Sequence, residues 1–420
     1  MGYLARLALT IGAGALIAGC GGSYTPIRTP SATPQNDAIA RIGTAGDRVL
    51  PAWSYRVLHR FDKYNNGASP VAGLVEVDGM LYGTTSSGGK KCSCGIVYSI
   101  STTGKLKVLY RFAGGSDGAY PTGGLIEVNG ALYGTTFEGG GTACYAGRGC
   151  GTIYSVTAAG VETVLYRFAG GFDGANPFAG LTNVNGTLYG STVYGGSKDK
   201  GTVYSVTTGG VETVLHSFSG THGGGAHPYG GLIDVNGTLY GTTGAGGAYS
   251  KGTVFSMTTA GVETVLHSFG PRHSDGAHPQ AALIEVNGTL YGTTEEGGRS
   301  RCGNGRGCGT IYSVTAAGAE SVLHRFAGGS DGERPLAALL NVDGTLYGTT
   351  YYGGAKDMGT IFSVNPKGRE RVVYSFLGCS DGSNPQAPLI NASGTLYGAA
   401  LWGGGNCYGY GRGAIFALSP

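Results

Sequence analysis

Short runs in which apolar and polar residues alternate recur along the chain from residue 55 to its end. Residues 211–257 show four of them in succession, with the sequences VETVLHSF, GLIDVNG, TLYGTT and GTVFSM. Each run is rich in β-branched or aromatic residues and is bounded by Gly or Asn-Gly, a pattern that predicts a half-buried β-strand between tight turns. The chain is therefore expected to be an all-β protein built from short strands.

The four strands form a unit that the chain repeats seven times. The phrase Leu-Tyr-Gly recurs at intervals of 50 to 56 residues, with its tyrosine at Tyr82, Tyr133, Tyr189, Tyr240, Tyr291, Tyr347 and Tyr397. A repeat of this length with four strands is the size of one propeller blade. We therefore expect a seven-bladed β-propeller with four strands per blade, and an open β-solenoid is the alternative.

The two ends of the repeat array complement each other. The array begins at Tyr55 with a VLHRF run and ends at Pro420 after the run GAIFAL. The last blade thus lacks its outermost strand, and residues 55–61 are expected to supply it, which closes the ring and removes an open edge. Between the first two strands of a blade, Asn-Gly or Asp-Gly predicts two-residue hairpins. These dipeptides lie at 78–79, 129–130, 185–186, 236–237, 287–288 and 343–344.

The composition first indicates disorder and then argues against it. Glycine and proline supply 84 and 15 of the 420 residues, a share close to that of low-complexity chains. However, the chain is 41% hydrophobic and its formal net charge is only +3, so it has apolar surface to bury and little self-repulsion. A charged fraction of 13% without a basic stripe also argues against a nucleic-acid binder.

The first twenty residues follow a different pattern. Arg6 precedes an apolar run over residues 7–18, which is too short for a membrane-spanning helix but suits a secretory signal. The run ends in Leu-Ile-Ala-Gly-Cys and resembles the bacterial lipoprotein signal. The resemblance implies that Cys20 is lipidated and becomes the mature N-terminus. An ordinary signal peptide with an incidental cysteine is the alternative.

These features predict three segments. Residues 1–19 are a lipoprotein signal peptide, residues 20–54 are the lipidated cysteine and a flexible Gly-, Ser-, Thr- and Pro-rich tether, and residues 55–420 are the propeller. We expect the protein to lie in the bacterial cell envelope, periplasmic or at the cell surface, as a monomer that contacts the membrane through its lipid only.

The recurring sequence GTLYGTT, a double glycine, GTIYSV and ETVLHSF resembles the tandem repeat of the GloVer group of extracytoplasmic, choice-of-anchor bacterial proteins. The match covers residues 55–420. The resemblance implies an extracytoplasmic location and a repeat architecture. It implies no catalytic residue and no cofactor.

Strand direction sorts the loops onto two faces. The Asn-Gly hairpins and the short TTAG or TAAG turns lie on one face. The longer loops, including those after the Leu-Tyr-Gly strands, lie on the other face, where rigid scaffolds usually carry their binding residues. We expect an arc of aromatic side chains on this face that stacks on a sugar or contacts a protein. Rings tucked between the blades are the alternative. The candidates are Phe137, Tyr194, Tyr351, Tyr352 and Trp402.

Eight cysteines remain after Cys20, an even number in an oxidising compartment. Cys144 with Cys150 and Cys302 with Cys308 have the same spacing in the two enlarged loops, and we expect each pair to cross-link its own loop. Cys379 and Cys407 map to the same face and are a third candidate pair. For Cys92 and Cys94 the sequence leaves a strained bridge, free thiols and a redox pair open.

Polar side chains offer further candidate sites. A metal is possible where neighbouring loops carry His222, His227, His273, His278 and Asp275, although solvated loop residues duplicated with the repeat are the favoured interpretation. His59, His216, His267 and His324 lie in the outer strand and are interpreted as structural. An Asp or Asn before Gly at 66, 117, 173, 275, 331 and 381 predicts an Asx-type turn.

The innermost strands carry one polar residue each, namely Glu76, Glu127, Asn183, Asp234, Glu285, Asn341 and Asn391. Such a ring could bind a cation or act as acid and base, but its place beside the hairpins favours hydrogen bonds to the turn backbone. The expected function is a binding module for glycan or protein. The alternative is a polysaccharide hydrolase or lyase with its site on the long-loop face.

Overall fold

The computed structural model describes residues 53–420, with gaps at 91, 142–143, 145–146, 222, 271–274, 299–301 and 406–410. These residues belong to a compact unit, Pro51–Pro420. The predicted signal peptide and Cys20 lie outside the described residues. Within the described part of the chain, no helix has the length and apolar character needed to cross a bilayer.

Seven antiparallel four-stranded sheets form the blades of a β-propeller, as the repeat predicts. The first strands are Val75–Val77, Ile126–Val128, Thr182–Val184, Ile233–Val235, Ile284–Val286, Leu340–Val342 and Ile390–Ala392. The second strands are Met80–Thr85, Ala131–Thr136, Thr187–Thr192, Thr238–Thr243, Thr289–Thr294, Thr345–Thr350 and Thr395–Ala400. We number the blades 1 to 7 in this order.

The outer half of each blade follows the same sequence. The third strands are Ile96–Ser101, Thr152–Thr157, Thr202–Thr207, Thr253–Thr258, Thr310–Thr315, Thr360–Val364 and Ala414–Ser419. The fourth strands are Leu106–Arg111, Glu162–Arg167, Glu212–Ser217, Glu263–Ser268, Glu320–Arg325, Glu370–Ser375 and, in blade 7, Ser54–Arg60. First strands of successive blades contact each other at five of the seven blade boundaries and so lie nearest the axis.

The ring closes as the split repeat predicts. The N-terminal strand Ser54–Arg60 pairs antiparallel with the C-terminal strand Ala414–Ser419, and Ser54 lies opposite Ser419. The first and last described strands thus share one sheet, so the outer edge of the third strand of blade 7 is paired.

Each blade packs on the next through one pair of buried aromatic rings. The phenylalanine that follows the fourth strand meets the central aromatic residue of the next blade's third strand, edge to face, with ring centroids 5.0–5.5 Å apart. The pairs are Phe61–Tyr98, Phe112–Tyr154, Phe168–Tyr204, Phe218–Phe255, Phe269–Tyr312, Phe326–Phe362 and Phe376–Phe416. Such pairs contribute about 0.5–1.5 kcal/mol each beyond the area they bury, so the core is a ring of blade interfaces.

The glycine of the Leu-Tyr-Gly phrase makes room for these rings. Gly190 lies directly opposite Tyr204 in the ladder, and a Cβ atom on Gly190 would come within 2.5 Å of the Tyr204 ring carbon Cζ. The same pairing of glycine with Tyr or Phe occurs in every blade. The repeated glycine is therefore a packing requirement.

The predicted hairpins are present between the first and second strands. Asn185 and Gly186 both have positive φ values, 50° and 84°, as a type I′ turn requires, and a seventh hairpin uses Ser393 and Gly394. In every blade the polar residue of the first strand accepts a hydrogen bond from the hairpin glycine N–H. The ring of polar residues from Glu76 to Asn391 thus supports the turns.

Candidate functional site

The long loops form one face of the propeller, which we call the wide-loop face. It consists of the loops between second and third strands and of the connections between blades. In each blade the two meet in a short antiparallel pairing. Two pairings are extended, Gly225–Ala226 with Ala245–Gly246 and Gly276–Ala277 with Glu296–Gly297. The others are single bridges, Ala68 with Ser87, Ala119 with Glu138, Ala175 with Tyr194, Glu333 with Tyr352 and Ser383 with Trp402.

Short helical turns complete this face. Three connections contain a 3-10 turn that ends in the predicted Asx-type aspartate, and the blade 5 loop contains one four-residue α-helix. These elements are Gly115–Asp117, Gly171–Asp173, Gly329–Asp331 and Cys302–Gly305.

The residue before the proline of each connection links neighbouring blades. It has positive φ in all seven connections, and in five of them its side chain contacts the loop of the preceding blade. Asn176 donates to the Phe137 carbonyl at 2.7 Å and Asn384 donates to the Tyr351 carbonyl at 3.0 Å. In each case the side chain is held by backbone of the neighbouring loop and is oriented by it.

Two of the predicted metal ligands occupy this linking position. The Nδ1 atom of His227 lies 2.9 Å from the Val193 carbonyl oxygen, and Nδ1 of His278 lies 2.8 Å from that of Gly244. Burial lowers the pKa of His227, which favours the neutral ring. His222 and His273 lie outside the described residues. The Asp275 carboxylate faces His267, with 3.6 Å between Oδ2 of Asp275 and Nε2 of His267. The metal site on these loops remains a prediction.

The predicted aromatic arc is divided into two groups. In blades 6 and 7 the ring centroids of Tyr351 and Tyr352 lie 4.6 Å apart, and the Trp402 indole donates a hydrogen bond to the Tyr351 hydroxyl. The guanidinium of Arg334 lies 6.0 Å from the Tyr352 ring centroid. Burial raises the pKa of Tyr351. All four side chains are half-buried, so part of each remains available to a ligand.

Arg334 connects this group to blade 5. Its guanidinium forms an ion pair with the buried carboxylate of Glu295, and the Gln280 amide donates to the same carboxylate. A buried carboxylate is tolerated because it is paired and hydrogen-bonded. The pair therefore holds the guanidinium in place beside Tyr352.

The second aromatic group spans blades 2 to 4. Phe137 meets Phe178 edge to face with centroids 6.1 Å apart, and Phe178 meets Tyr229 in the same way at 5.6 Å. Tyr194 packs against His227 at 5.3 Å. Phe178 and Tyr229 follow the connection prolines and were not among the sequence candidates, although their position directly after a proline recurs in every repeat.

Within the described part of the chain, the most exposed aromatic side chains lie elsewhere on the wide-loop face. Phe172 is 78% exposed, Tyr64 is 69% exposed and Tyr249 is 49% exposed, whereas the candidate arc is half-buried. Sequence alone did not separate these two sets, because both lie in loops of similar composition.

The cysteine predictions are confirmed where the structure describes them. Disulfides join Cys144 to Cys150 and Cys302 to Cys308, and Cys92 is bonded to Cys94, which agrees with a bridge and with the oxidised form of a redox pair. Cys379 is also disulfide-bonded, and its predicted partner Cys407 lies outside the described residues.

Side chains that the sequence analysis interpreted as structural, the outer-strand histidines and the aspartates before glycine, meet at the outer edge of the blade interfaces. We call this place the rim junction: a His or Tyr of one fourth strand, an Asp or Asn of the following connection in every junction but that of blades 3 and 4, and the residue at the start of the next blade's fourth strand. In the junction of blades 2 and 3, the Tyr166 hydroxyl donates to Asp173 at 2.6 Å, and Asp173 also accepts the Ala169 N–H. Asp173 thus closes the loop that precedes it, whereas the predicted Asx-type turn would have the aspartate accept the N–H two residues further on.

Glutamate occupies the third position of five rim junctions. Burial raises the pKa of all five carboxyl groups, in Glu162, Glu212, Glu263, Glu320 and Glu370. For Glu212, burial together with repulsion from Asp173 raises the pKa to about 7. These glutamates were not sequence candidates, because their partners belong to the preceding repeat.

The fold and repeat define a tandem-repeat, seven-bladed β-propeller with variable loops on one face. The Gloeobacter/Verrucomicrobia repeat model matches residues 48–147, 140–304 and 300–420, and the chain belongs to this repeat family. No curated protein matches the chain.

Solved structures resemble this propeller at low sequence identity. Puromycin hydrolase is 10% identical with a TM-score of 0.51, over 82% of this chain and 52% of that one. A gluconolactonase from Xanthomonas campestris is 11% identical with a TM-score of 0.43, over 88% and 90%. A luciferin-regenerating enzyme is 10% identical with a TM-score of 0.44, over 88% and 95%. This chain spans about half the length of the hydrolase, and likeness at this level concerns the fold alone.

Proposed function

We propose that this protein is a binding module that takes a glycan on its wide-loop face, and that a lipid on Cys20 holds it in the bacterial cell envelope. The observation that carries the proposal is the group formed by Tyr351, Tyr352, Trp402 and Arg334. It combines half-buried rings with a fixed guanidinium.

The chemistry of this group suits a sugar. Flat aromatic side chains stack on the apolar face of a pyranose and lose little entropy on binding. Arg334 is held by Glu295 and Gln280, so its remaining N–H groups are pre-organised to donate to hydroxyl oxygens. The Phe137, Phe178 and Tyr229 chain is a second aromatic surface on the same face, across blades 2 to 4, and two separate aromatic surfaces favour an extended oligosaccharide over a monosaccharide.

The anchor rests on residues 1–20. An apolar run after Arg6 and the sequence Leu-Ile-Ala-Gly-Cys support export and lipidation. Mass spectrometry of the mature N-terminus tests it, because an unmodified Cys20 contradicts the anchor.

A glycan array on the full-length protein, followed by titration of the best ligand, tests the binding site. The double variant Tyr352→Ala, Trp402→Ala should weaken binding by at least about tenfold, since two stacking contacts are lost. Ala and Ser occupy the same bridging position in blades 4 and 1, so the fold should tolerate small side chains there. Tyr249→Ala, in the blade 4 loop outside the arc, is the matched control and should bind as the wild type does.

Two results would overturn the proposal. Binding that survives the double variant places the ligand elsewhere, and an array without any hit while a protein partner binds the same face makes the ligand a protein. Release of shortened oligosaccharide during the titration identifies an enzyme instead of a binding module.

A further inference from the structure

Two neighbouring rim junctions contain a histidine and two carboxylates. Between blades 5 and 6 these are His324, Asp331 and Glu370, and between blades 4 and 5 they are His267, Asp275 and Glu320. In each set the potential ligand atoms all lie within 4.8 Å of one another. Imidazole and carboxylate together form the donor set that divalent transition metals prefer.

The distances suit a metal ion between the side chains. Nε2 of His324 lies 3.2 Å from Oδ1 of Asp331, and Nε2 of His267 lies 3.6 Å from Oδ2 of Asp275. In a tetrahedral zinc site with bonds near 2.1 Å, ligand atoms are about 3.4 Å apart. An ion therefore fits with small side-chain adjustments.

Unpartnered buried atoms at both junctions are a second, independent observation. Nε2 of His267 is buried without a hydrogen-bond partner, and so are Oε1 of Glu320 and Oε1 of Glu370, an orphaned oxygen that these two share with the other three rim glutamates. Asp275 keeps its Oδ2 atom in place by accepting the Gly270 N–H. An unsatisfied buried polar atom costs about 1–3 kcal/mol, and coordination to a cation would remove that cost.

The other junctions show what the repeat does without this donor set. Junctions 1–2 and 2–3 have Tyr in place of His, and there the hydroxyl donates to Asp. Among the described residues, junction 3–4 has His216 and Glu263, and junction 7–1 has His59 bonded to Asn66. The complete set thus occurs at two of the seven positions.

We propose that the rim junctions of blades 4–5 and 5–6 each bind a divalent transition metal through one His, one Asp and one Glu. The aspartate and histidine belong to one blade and the glutamate to the next, so the metal cross-links consecutive blades. Three protein ligands leave a fourth coordination position open to water or to an external ligand.

Equilibrium dialysis of untagged, chelator-treated full-length protein against ZnCl₂, with the bound metal measured by mass spectrometry, tests the proposal. The wild type should bind two equivalents, His267→Tyr and His324→Tyr one each, and the double variant none. Tyr is the natural residue at this position in three blades, so both variants should keep the Asp contact and fold. If either unfolds, Glu320→Leu and Glu370→Leu replace them, since Leu106 holds the equivalent position.

Two control variants make the result specific. His216→Tyr should still bind two equivalents, because its junction lacks an aspartate. His227→Asn with His278→Asn copies Asn176 and Asn384 at the linking position and should also bind two. A wild type that binds no zinc overturns the proposal, as does a double His→Tyr variant that retains both equivalents or a His227, His278 variant that loses them.

Discussion

The aromatic interface and the rim junction join the same pairs of blades, yet their residues vary to different degrees among the repeats. At the aromatic interface every blade keeps a phenylalanine, an opposing Tyr or Phe and a glycine beneath it. At the rim junction, His, Tyr, Asp, Asn, Glu and Leu all occur. Close packing permits one solution, whereas half-buried hydrogen bonding permits several, so new chemistry can arise at the rim without loss of the fold.

The largest effect is expected at the aromatic interface. Gly190→Ala should destabilise the protein by about 3 kcal/mol, because overpacking a filled core costs that much and the new Cβ would lie 2.5 Å from Tyr204 Cζ. Denaturant unfolding measures the change. Gly209→Ala, in an exposed turn where the added Cβ meets no atom closer than 3.7 Å, is the control and should change the stability by less than about 0.5 kcal/mol.

A loss of similar size in both variants would contradict the packing account and assign the effect to backbone freedom.

The contribution of the rim junction to the stability of the protein should instead depend on pH. Glu212 has a folded-state pKa of about 7 against an ordinary value of 4.5, so the folded protein binds the extra proton between these values and loses stability as pH rises through them. The full shift corresponds to about 3 kcal/mol, and solvent screening of this half-buried group reduces it to about 1–2 kcal/mol. Glu212→Gln should therefore be more stable than the wild type at pH 8 and similar at pH 4.5.

Thermal unfolding of both proteins across this pH range checks the sign. Two parallel stability curves would show that Glu212 titrates in the folded protein as it does in the unfolded chain. Glu212→Leu, the residue type of the equivalent position in blade 1, should remove the same pH-dependent difference.

The smallest effect is expected from an exchange of Tyr for Phe at the aromatic interface, a change that the repeats themselves contain. The hydroxyls of Tyr98, Tyr154, Tyr204 and Tyr312 are buried without a hydrogen-bond partner, and Phe replaces Tyr in the other three blades. Tyr204→Phe should be neutral or stabilise the protein by up to about 1 kcal/mol, since removing an unsatisfied hydroxyl costs no hydrogen bond. Denaturant unfolding gives the sign, and a clear destabilisation would mean that a buried water satisfies the hydroxyl.

The fold could be predicted from the sequence because its period and hairpins are local signals that recur in every repeat, and because the split register is visible at the two ends of the array. Repetition also placed the hairpin contacts of the inner strands and the spacing of the Cys144–Cys150 and Cys302–Cys308 bridges. Each of these depends on residues close together in the chain, or on a residue and its copy in another blade.

The candidate site was less accessible from sequence. Glu370 meets His324 and Asp331 across a blade boundary, so the three residues belong to no single repeat. Phe178 and Tyr229 join Phe137 through loops of three blades, outside the repeated phrase. The half-burial of Tyr352 and Trp402 follows from their bridges to Glu333 and Ser383, contacts that depend on how two loops of one blade meet.

The pairing of Ser54 with Ser419 has a consequence for the order of events in folding. In six blades a tight turn connects the third and fourth strands, and blade 7 has the two ends of the repeat array at that place. A linker with the sequence of one of those turns would join the ends, and the chain could then be cut in another third-to-fourth-strand turn to give a circular permutant with the same ring. In the natural chain, blade 7 is complete only after the last strand has been synthesised, so ring closure is a late, long-range step.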